Sequence, residues 1–346
     1  MSVVKIAKLA GVSVATVSRV INNSSRVKPK TAEQVRKAVA QLGLTGAGVR
    51  RGPRRHKTKK LDIEKLAILT MGQAHFQWFQ LPVMAAVVSG IMSEAKANHI
   101  GVQIEDALGP EQSAEALKDQ NVQGALIFLP AGSDAKAMEN IARHIPSVRV
   151  MGESLTLSAV DHVCPDNVAI GHLALRYLLE HGCKETAFLS AHPHWEFVRS
   201  RAFGFQSAAF AADLASPGIF IVSQEKSLKD YYGMPAKSAG TIEELVDMYV
   251  NSSKRPSGLF VPRDEETTLV YRLLEQRGMK PGKDVTVVSC DNEAIRLSGL
   301  DPRPASIDIR PMEIGRRAVR QLLSRISHPD DPPMRLQVAP VLDEKS

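Results

Sequence analysis

The chain has 346 residues, 44% of them apolar and 23% charged, a balance that excludes a disordered chain and is too long for one small core. Its net charge of +7 is unevenly placed: residues 1–60 hold 15 Lys and Arg against one acid, Glu33, for a local +14, while the remainder carries −7. That split points to a polyanion partner for the head alone.

Ser2 is placed to cap a first helix, in which Val3, Ile6, Ala7 and Ala10 return at helical spacing. Gly11 breaks it, and Val12 is expected to tuck into the core as the chain reverses. Ser13 caps a second helix with Val17, Val20 and Ile21 on its buried face, leaving Thr16, Ser18 and Arg19 outward; Asn22 and Asn23 end it. A loop through Pro29 leads to a third helix, where Thr31 and Gln34 have the spacing of a capping box. Val35, Ala38, Val39 and Leu42 make its apolar stripe, and Gly43 is its stop. Three short helices with a glycine turn between the first two form a helix-turn-helix, whose second helix fits the DNA major groove. At its start the methyls of Val14 and Ala15 can sense a thymine methyl, and Arg19 has the fork that grips guanine. Ser13, Thr16, Ser18 and Asn22 are suited to phosphates, which fix register without reading sequence. A small helical domain that binds another protein is the alternative.

The run from Ile6 to Asn22, IAKLAGVSVATVSRVIN, resembles the N-terminal signature of the lactose-repressor/galactose-repressor family of bacterial regulators. The resemblance implies a dimeric, usually repressing regulator that binds a pseudo-palindromic double-stranded operator, with Val14, Ala15 and Arg19 at the positions that read the groove. The linker departs from the family pattern. Where relatives carry Tyr-x-Pro-Asn-x-x-Ala, a hinge helix that drives a leucine into the minor groove, this chain has Leu44-Thr45-Gly46-Ala47-Gly48-Val49-Arg50 and then Arg51-Gly52-Pro53. Glycine weakens a helix and proline limits its continuation, so a leucine wedge is not expected. Arg50 and Arg51 are expected instead to track phosphates or enter a narrow minor groove, a plain solvated linker being the alternative.

From Leu66 onward short apolar strands alternate with amphipathic helices. Strands are expected at 66–70, 102–104, 125–129, 148–151, 186–190, 219–222, 259–261 and 285–289. Helices are expected at 85–98, 113–119, 135–143, 168–180, 197–212, 242–249 and 265–277. This rhythm argues for parallel sheets covered on both faces and divided into two halves, with the break near 152–165. The fold class is therefore α/β: a small all-α head at residues 1–48, a basic linker at 49–64, and a sensor at 65–340 built of two Rossmann-like subdomains. Asp166 reads as the cap of the helix that follows it.

The body resembles the same family at Asp166-Asn167-x-x-x-Gly171, at Arg201-x-x-Gly204-Phe205, whose arginine commonly contacts the effector, at Val287 to Asn292 and at Ser306-Ile307 with Ile314-Gly315-Arg316-Arg317-Ala318. The resemblance implies a periplasmic-binding-protein-like sensor. Independently, two open α/β sheets facing each other make a closable pocket at the carboxyl ends of their strands. The loops there supply Gln73, His75, Phe76, Trp78, Phe79, His192, Trp195, Arg263, Asp264 and Asp291, which Arg201 joins as a contact to ligand polar groups. Phe79 or Trp195 would cover an apolar sugar face. Relatives commonly have Asn where Arg263 stands and Asp near Met151; losing that carboxylate and gaining a guanidinium makes this pocket less suited to a neutral polyol. A pentose, hexose or sugar acid is the expected effector, and a sensor that has lost its ligand the alternative.

Other chemistry finds little support. There is no GxGxxG, Walker A or nucleophile elbow, so no cofactor and no catalysis are expected. His192 and His194 lack a third and fourth ligand for a metal. Cys164, Cys183 and Cys290 form no CxxC and read as buried apolar residues. No signal peptide or spanning segment is evident, so a cytoplasmic location away from membranes is expected, and the family resemblance implies a nucleoid-associated homodimer.

Overall fold

The computed structural model describes residues 3–21, 27–42, 63–71, 80–107, 117, 121–129, 135–152, 160–222 and 237–344. It divides into two compact units, Met1–Leu61 and Asp62–Ser346. The expectations for Ser2, Asn22, Asn23, Gly43, the linker with Arg50 and Arg51, the segment from Gln73 to Phe79, and the helix at 113–119 apart from Leu117 lie outside the described residues.

In the first unit, α1 (Val3–Ala10), α2 (Val14–Ile21) and α3 (Pro29–Gln41) enclose Ile6, Ala7, Val17, Val20, Val35 and Ala38. Val12, Val39 and Leu42 pack around that nucleus. Gly11 takes φ 65°, the left-handed conformation that lets the chain reverse without a Cβ penalty. Ser13 caps α2, its Oγ accepting from the Thr16 amide at 3.1 Å. The capping box expected at Thr31 and Gln34 does not form, because α3 starts three residues earlier, at Pro29, with Lys28 in the cap position and no side-chain cap. Proline at the first helical position has a suitable φ and no amide hydrogen to satisfy, so it begins the helix unaided.

The second unit contains β1 (Lys65–Met71), α4 (Pro82–Ala97), β2 (Gly101–Ala107), β3 (Gly124–Phe128), α5 (Ala135–Ala142), β4 (Ser147–Val150), β5 (Asp161–Pro165), α6 (Asn167–Glu180), β6 (Thr186–Ser190) and α7 (Glu196–Ala211). It continues with β7 (Gly218–Val222), β8 (Lys237–Ala239), α8 (Ile242–Val250), β9 (Gly258–Phe260), α9 (Asp264–Gln276), β10 (Thr286–Cys290), α10 (Ala294–Leu297), β11 (Ala305–Asp308), α11 (Pro311–Ser327), β12 (Arg335–Val338) and β13 (Val341–Asp343). Among the described residues these strands form a six-stranded sheet, β12-β5-β4-β3-β1-β2, and a seven-stranded sheet, β13-β11-β10-β9-β6-β7-β8. All pairings are parallel except β11 with β13.

Five of these strands escape the apolar-run criterion. β5 reads Asp-His-Val-Cys-Pro yet is wholly buried, its Asp161 held by Arg325, Gln321 and the Met334 amide. β8 and β11 are very short, β12 is a largely exposed edge, and β13 is a short, part-exposed edge. Because β5 pairs with β4, the chain leaves the first sheet after Pro165, at the late end of the expected interval. It returns between β11 and α11, which packs on α4, and crosses a third time between β12 and β13.

Two glycine pairs set the helix layers. A Cβ on Gly171 would stand 2.2 Å from the Arg201 carbonyl oxygen, and one on Gly204 would stand 2.1 Å from that of Val168, so α6 and α7 touch backbone to backbone. Gly90 and Gly315 do the same for α4 and α11, against the carbonyl oxygens of Met312 and Val87. Since neither backbone can yield cheaply, Gly204→Ala is expected to cost about 1–3 kcal/mol, measured by chemical denaturation. An unchanged midpoint would show that the helices separate freely.

Candidate functional site

In the first unit, burying Val17 and Val20 turns the other side of α2 to solvent. Val14 is 45% exposed and Ala15 and Arg19 are also exposed, while Thr16 and Ser18 are half-buried beside them. Ser13 Oγ and Thr16 Oγ1 lie 2.9 Å apart, fixing both hydroxyls at the start of the helix. An exposed valine at a helix N-terminus beside small side chains gives a surface that base edges can approach closely. The helix thus brings Ser13, Val14, Ala15, Thr16, Ser18 and Arg19 together on one end and one side.

In the second unit, a cavity of about 380 Å³ lies between the carboxyl ends of the two sheets. One wall is formed by Leu81, Val83, Met84, Leu129, Arg149 and Met151, and the other by Trp195, Phe197, Arg201, Arg263 and Asp291 with their neighbours. Asp166 accepts from the Ala169 amide at 2.9 Å, which starts α6 and presents Asn167 to the cleft. Arg201 projects from α7, 2% exposed: its Nε donates to Asn167 Oδ1 at 3.1 Å, Nη2 to Asp291 Oδ1 at 3.1 Å and Nη1 to the Pro262 carbonyl. Its guanidinium also stands 5.1 Å from the Phe197 ring centre. Burial raises the Asp291 carboxyl pKa, against the opposing pull of Arg201 and Arg263.

The strand ends behind these groups are strained. Met151 and Gly152 both have φ 61°, and on the facing wall Asp291 and Asn292 have φ 107° and 51°. Positive φ is costly for a side-chain-bearing residue and persists where surroundings enforce it. At Met151, expected to be the last residue of a strand, β4 has already ended, and the carbonyl accepts from His162 Nε2 at 2.9 Å. Burial, with Arg149 and Arg335 nearby, lowers the His162 pKa to about 4, so the ring is neutral with its proton on Nε2.

Arg263 turns into the cleft, its side chain 12% exposed and its guanidinium 4.5 Å from the Trp195 ring centre. His192 stacks on Trp195 at 4.2 Å and lies 3.3 Å from Arg263 Nη1, so imidazole and guanidinium share one face of the indole. Glu265 and Glu266 hold Arg263, and Glu266 also bonds His192 Nδ1 at 2.7 Å. The indole face expected to cover a sugar is thus partly occupied by the protein's own cation.

Asp264, expected among the contacts, stands behind the wall. It is fully buried, accepting from the Ser289 and Ser306 hydroxyls and from the Glu293 amide at 2.6 Å, and orders the loop after β10. Burial, reinforced by Asp291 and opposed by the hydrogen bonds, raises its pKa to about 7 from the 3.8 of a free aspartate. Between those values the folded chain keeps a proton that the unfolded chain has lost. Its contribution is fully present below about 4 and drains as pH rises through about 7, at about 1.4 kcal/mol per pH unit. The Tm of Asp264→Asn minus that of the parent is expected to rise from pH 5 to pH 8 in thermal melts. A constant difference would mean that Asp264 titrates normally.

Sequence reasoning did not single out Arg149, Phe197, Glu265, Glu293 or Arg296, all of which line the cavity. Only the position of Phe197 and Glu265 at helix starts signalled their nearness. Cys164, Cys183 and Cys290 are buried, and none of the three is in a disulfide. Among the described residues no cluster of three or more His, Cys, Asp or Glu could hold a metal, and no helix is long and apolar enough to cross a membrane.

Comparison with known proteins gives two family matches: bacterial regulatory proteins of the lacI family over residues 3–45, and the periplasmic binding protein-like domain over residues 175–346. The chain is 27% identical to the ribose operon repressor of Haemophilus influenzae over 331 residues, covering 94% of this chain and 92% of that one. It is 28% identical over 329 residues to the transcriptional regulator MalR of Streptococcus pneumoniae, covering 93% and 92%. In structure it is similar to a complex of the regulator CelR with cellobiose (TM-score 0.64, 23% identity, covering 99% and 98%). It is also similar to a lac repressor dimer bound to operator and an anti-inducer (TM-score 0.61, 20% identity, covering 99% and 98%).

Proposed function

The chain belongs to the lacI family of bacterial regulatory proteins, and from that premise we propose that it is a dimeric transcriptional repressor whose grip on a pseudo-palindromic operator is set by a small carbohydrate-like effector. The observation that carries the reading is the outward side of α2, where an exposed Val14 and Arg19 flank small residues on a head of net charge +14. Val14, Ala15 and Arg19 read bases, and Ser13, Thr16 and Ser18 hold phosphates. The protein acts in the cytoplasm, on the nucleoid. The cleft supports the effector: ribose and cellobiose appear in the names of relatives, and buried Arg201 and part-buried Asp291 offer donors and an acceptor to hydroxyl groups. Trp195 and Arg263 bound the same space, and Asp264 positions the loop carrying Asp291. Closure around a ligand shifts the population between operator-binding and weakly binding states.

Selection of bound duplexes from random DNA tests this reading. An inverted repeat of two half-sites is expected; enrichment of no sequence would leave a basic head that binds DNA without reading it.

A further inference from the structure

α4 starts in an unusual way for a helix of 16 residues. Leu81 offers no side-chain cap, Pro82 has no amide hydrogen, and the first N–H is that of Val83. Its acceptor comes from the other subdomain: Glu293 Oε1, 3.4 Å away and 210 positions on in the chain. Glu293 sits in the loop after β10, its side chain 9% exposed, and its backbone amide is fixed by Asp264. The same carboxylate pairs through Oε2 with Arg296, whose Nη2 lies 4.0 Å from Glu265 Oε2, and Glu265 in turn pairs with Arg263 above Trp195. A chain of ion pairs therefore runs from the indole in the cleft to the positive end of a helix on the opposite wall.

We infer that Glu293 is a latch across the cleft, capping α4 of the facing subdomain, and that Arg263, Glu265 and Arg296 tie this cap to the wall an effector meets. The inference rests on the reading of the protein as a sensor that closes around its ligand. A carboxylate satisfies an orphan amide and interacts favourably with the helix dipole, so the contact favours the closed arrangement before any ligand is bound. Closing by this route raises the fraction of molecules competent to bind, and hence apparent effector affinity. Burial raises the Glu293 pKa while Arg296 opposes it, in keeping with a carboxylate withdrawn from solvent.

Hydrogen exchange read by mass spectrometry on the full-length protein, without DNA or sugar, tests the latch. In Glu293→Ala the peptide covering the start of α4 is expected to exchange about tenfold faster, with peptides from β9 and β10 unchanged as the control for folding. Glu293→Asp keeps the charge but withdraws the carboxylate by one methylene, and is expected to behave like alanine. Glu293→Gln keeps an acceptor oxygen at the same reach and is expected to stay within about twofold of the parent. Parental exchange at α4 in both Ala and Asp variants overturns the latch. If the Ala variant loses protection everywhere, the Asp and Gln pair decides: equal exchange in the two overturns it, and faster exchange in Asp supports it. DNA selection shares no readout with this experiment, so failure of one is not failure of the other.

Discussion

Arg201→Ala is expected to abolish saturable binding of sugars in the cleft and to destabilise the sensor by about 3–5 kcal/mol. Each nitrogen of this guanidinium donates to a named partner, Asn167, Asp291 or the Pro262 carbonyl. Arg201 is 2% exposed, so truncation removes a buried donor from a part-buried carboxylate and a buried amide oxygen. Calorimetric titration with pentoses, hexoses, sugar acids and sugar phosphates reads the binding, and urea denaturation reads the stability. Arg201→Lys separates the two effects, because an ammonium restores charge without the fork. It is expected to recover part of the stability while leaving affinity at least about tenfold below the parent. Parental affinity in Arg201→Ala would remove this residue from the effector site.

Arg19→Ala is expected to reduce binding to the selected operator by about 1–3 kcal/mol, a factor of about 5 to 150, while leaving affinity for unrelated duplex nearly unchanged. Arg19 is exposed on α2, so its loss leaves the head core of Ile6, Val17, Val20 and Val35 intact. Titrations at several salt concentrations separate the two roles. A base contact costs specificity and hardly alters the salt slope, whereas a phosphate contact weakens all sequences alike and reduces the slope by about one. Uniform weakening with a smaller slope would place Arg19 on the backbone and leave base reading to Val14 and Ala15.

Much of this architecture was legible beforehand. The helical return of Val17 and Val20 and the turn at Gly11 placed α2 and its outward side, because a helix this short has only one face to bury. Runs such as Ala-Phe-Leu at 187–189 announced β6, because a strand covered on both faces has no polar side to show. β5 carried no such signal, since its Asp161 and His162 are held by Arg325, Gln321, the Met334 amide and the Met151 carbonyl, none of them neighbours in the chain. The capping box at Thr31 failed because Pro29 supplies its own helix start.

The sequence by itself determined most of the elements, the division into a basic head and an α/β sensor, and the residue types at the end of each cleft strand, since periodicity, turn chemistry and charge are local properties of the chain. Tertiary structure decided how those residues are used. It turned Arg263 inward onto Trp195, withdrew Asp264 behind the wall, and brought Glu293 to the start of α4. Each outcome depends on which partner satisfies a buried charge or an orphan amide. Those partners are set by where the two sheets meet, across separations that no local pattern encodes.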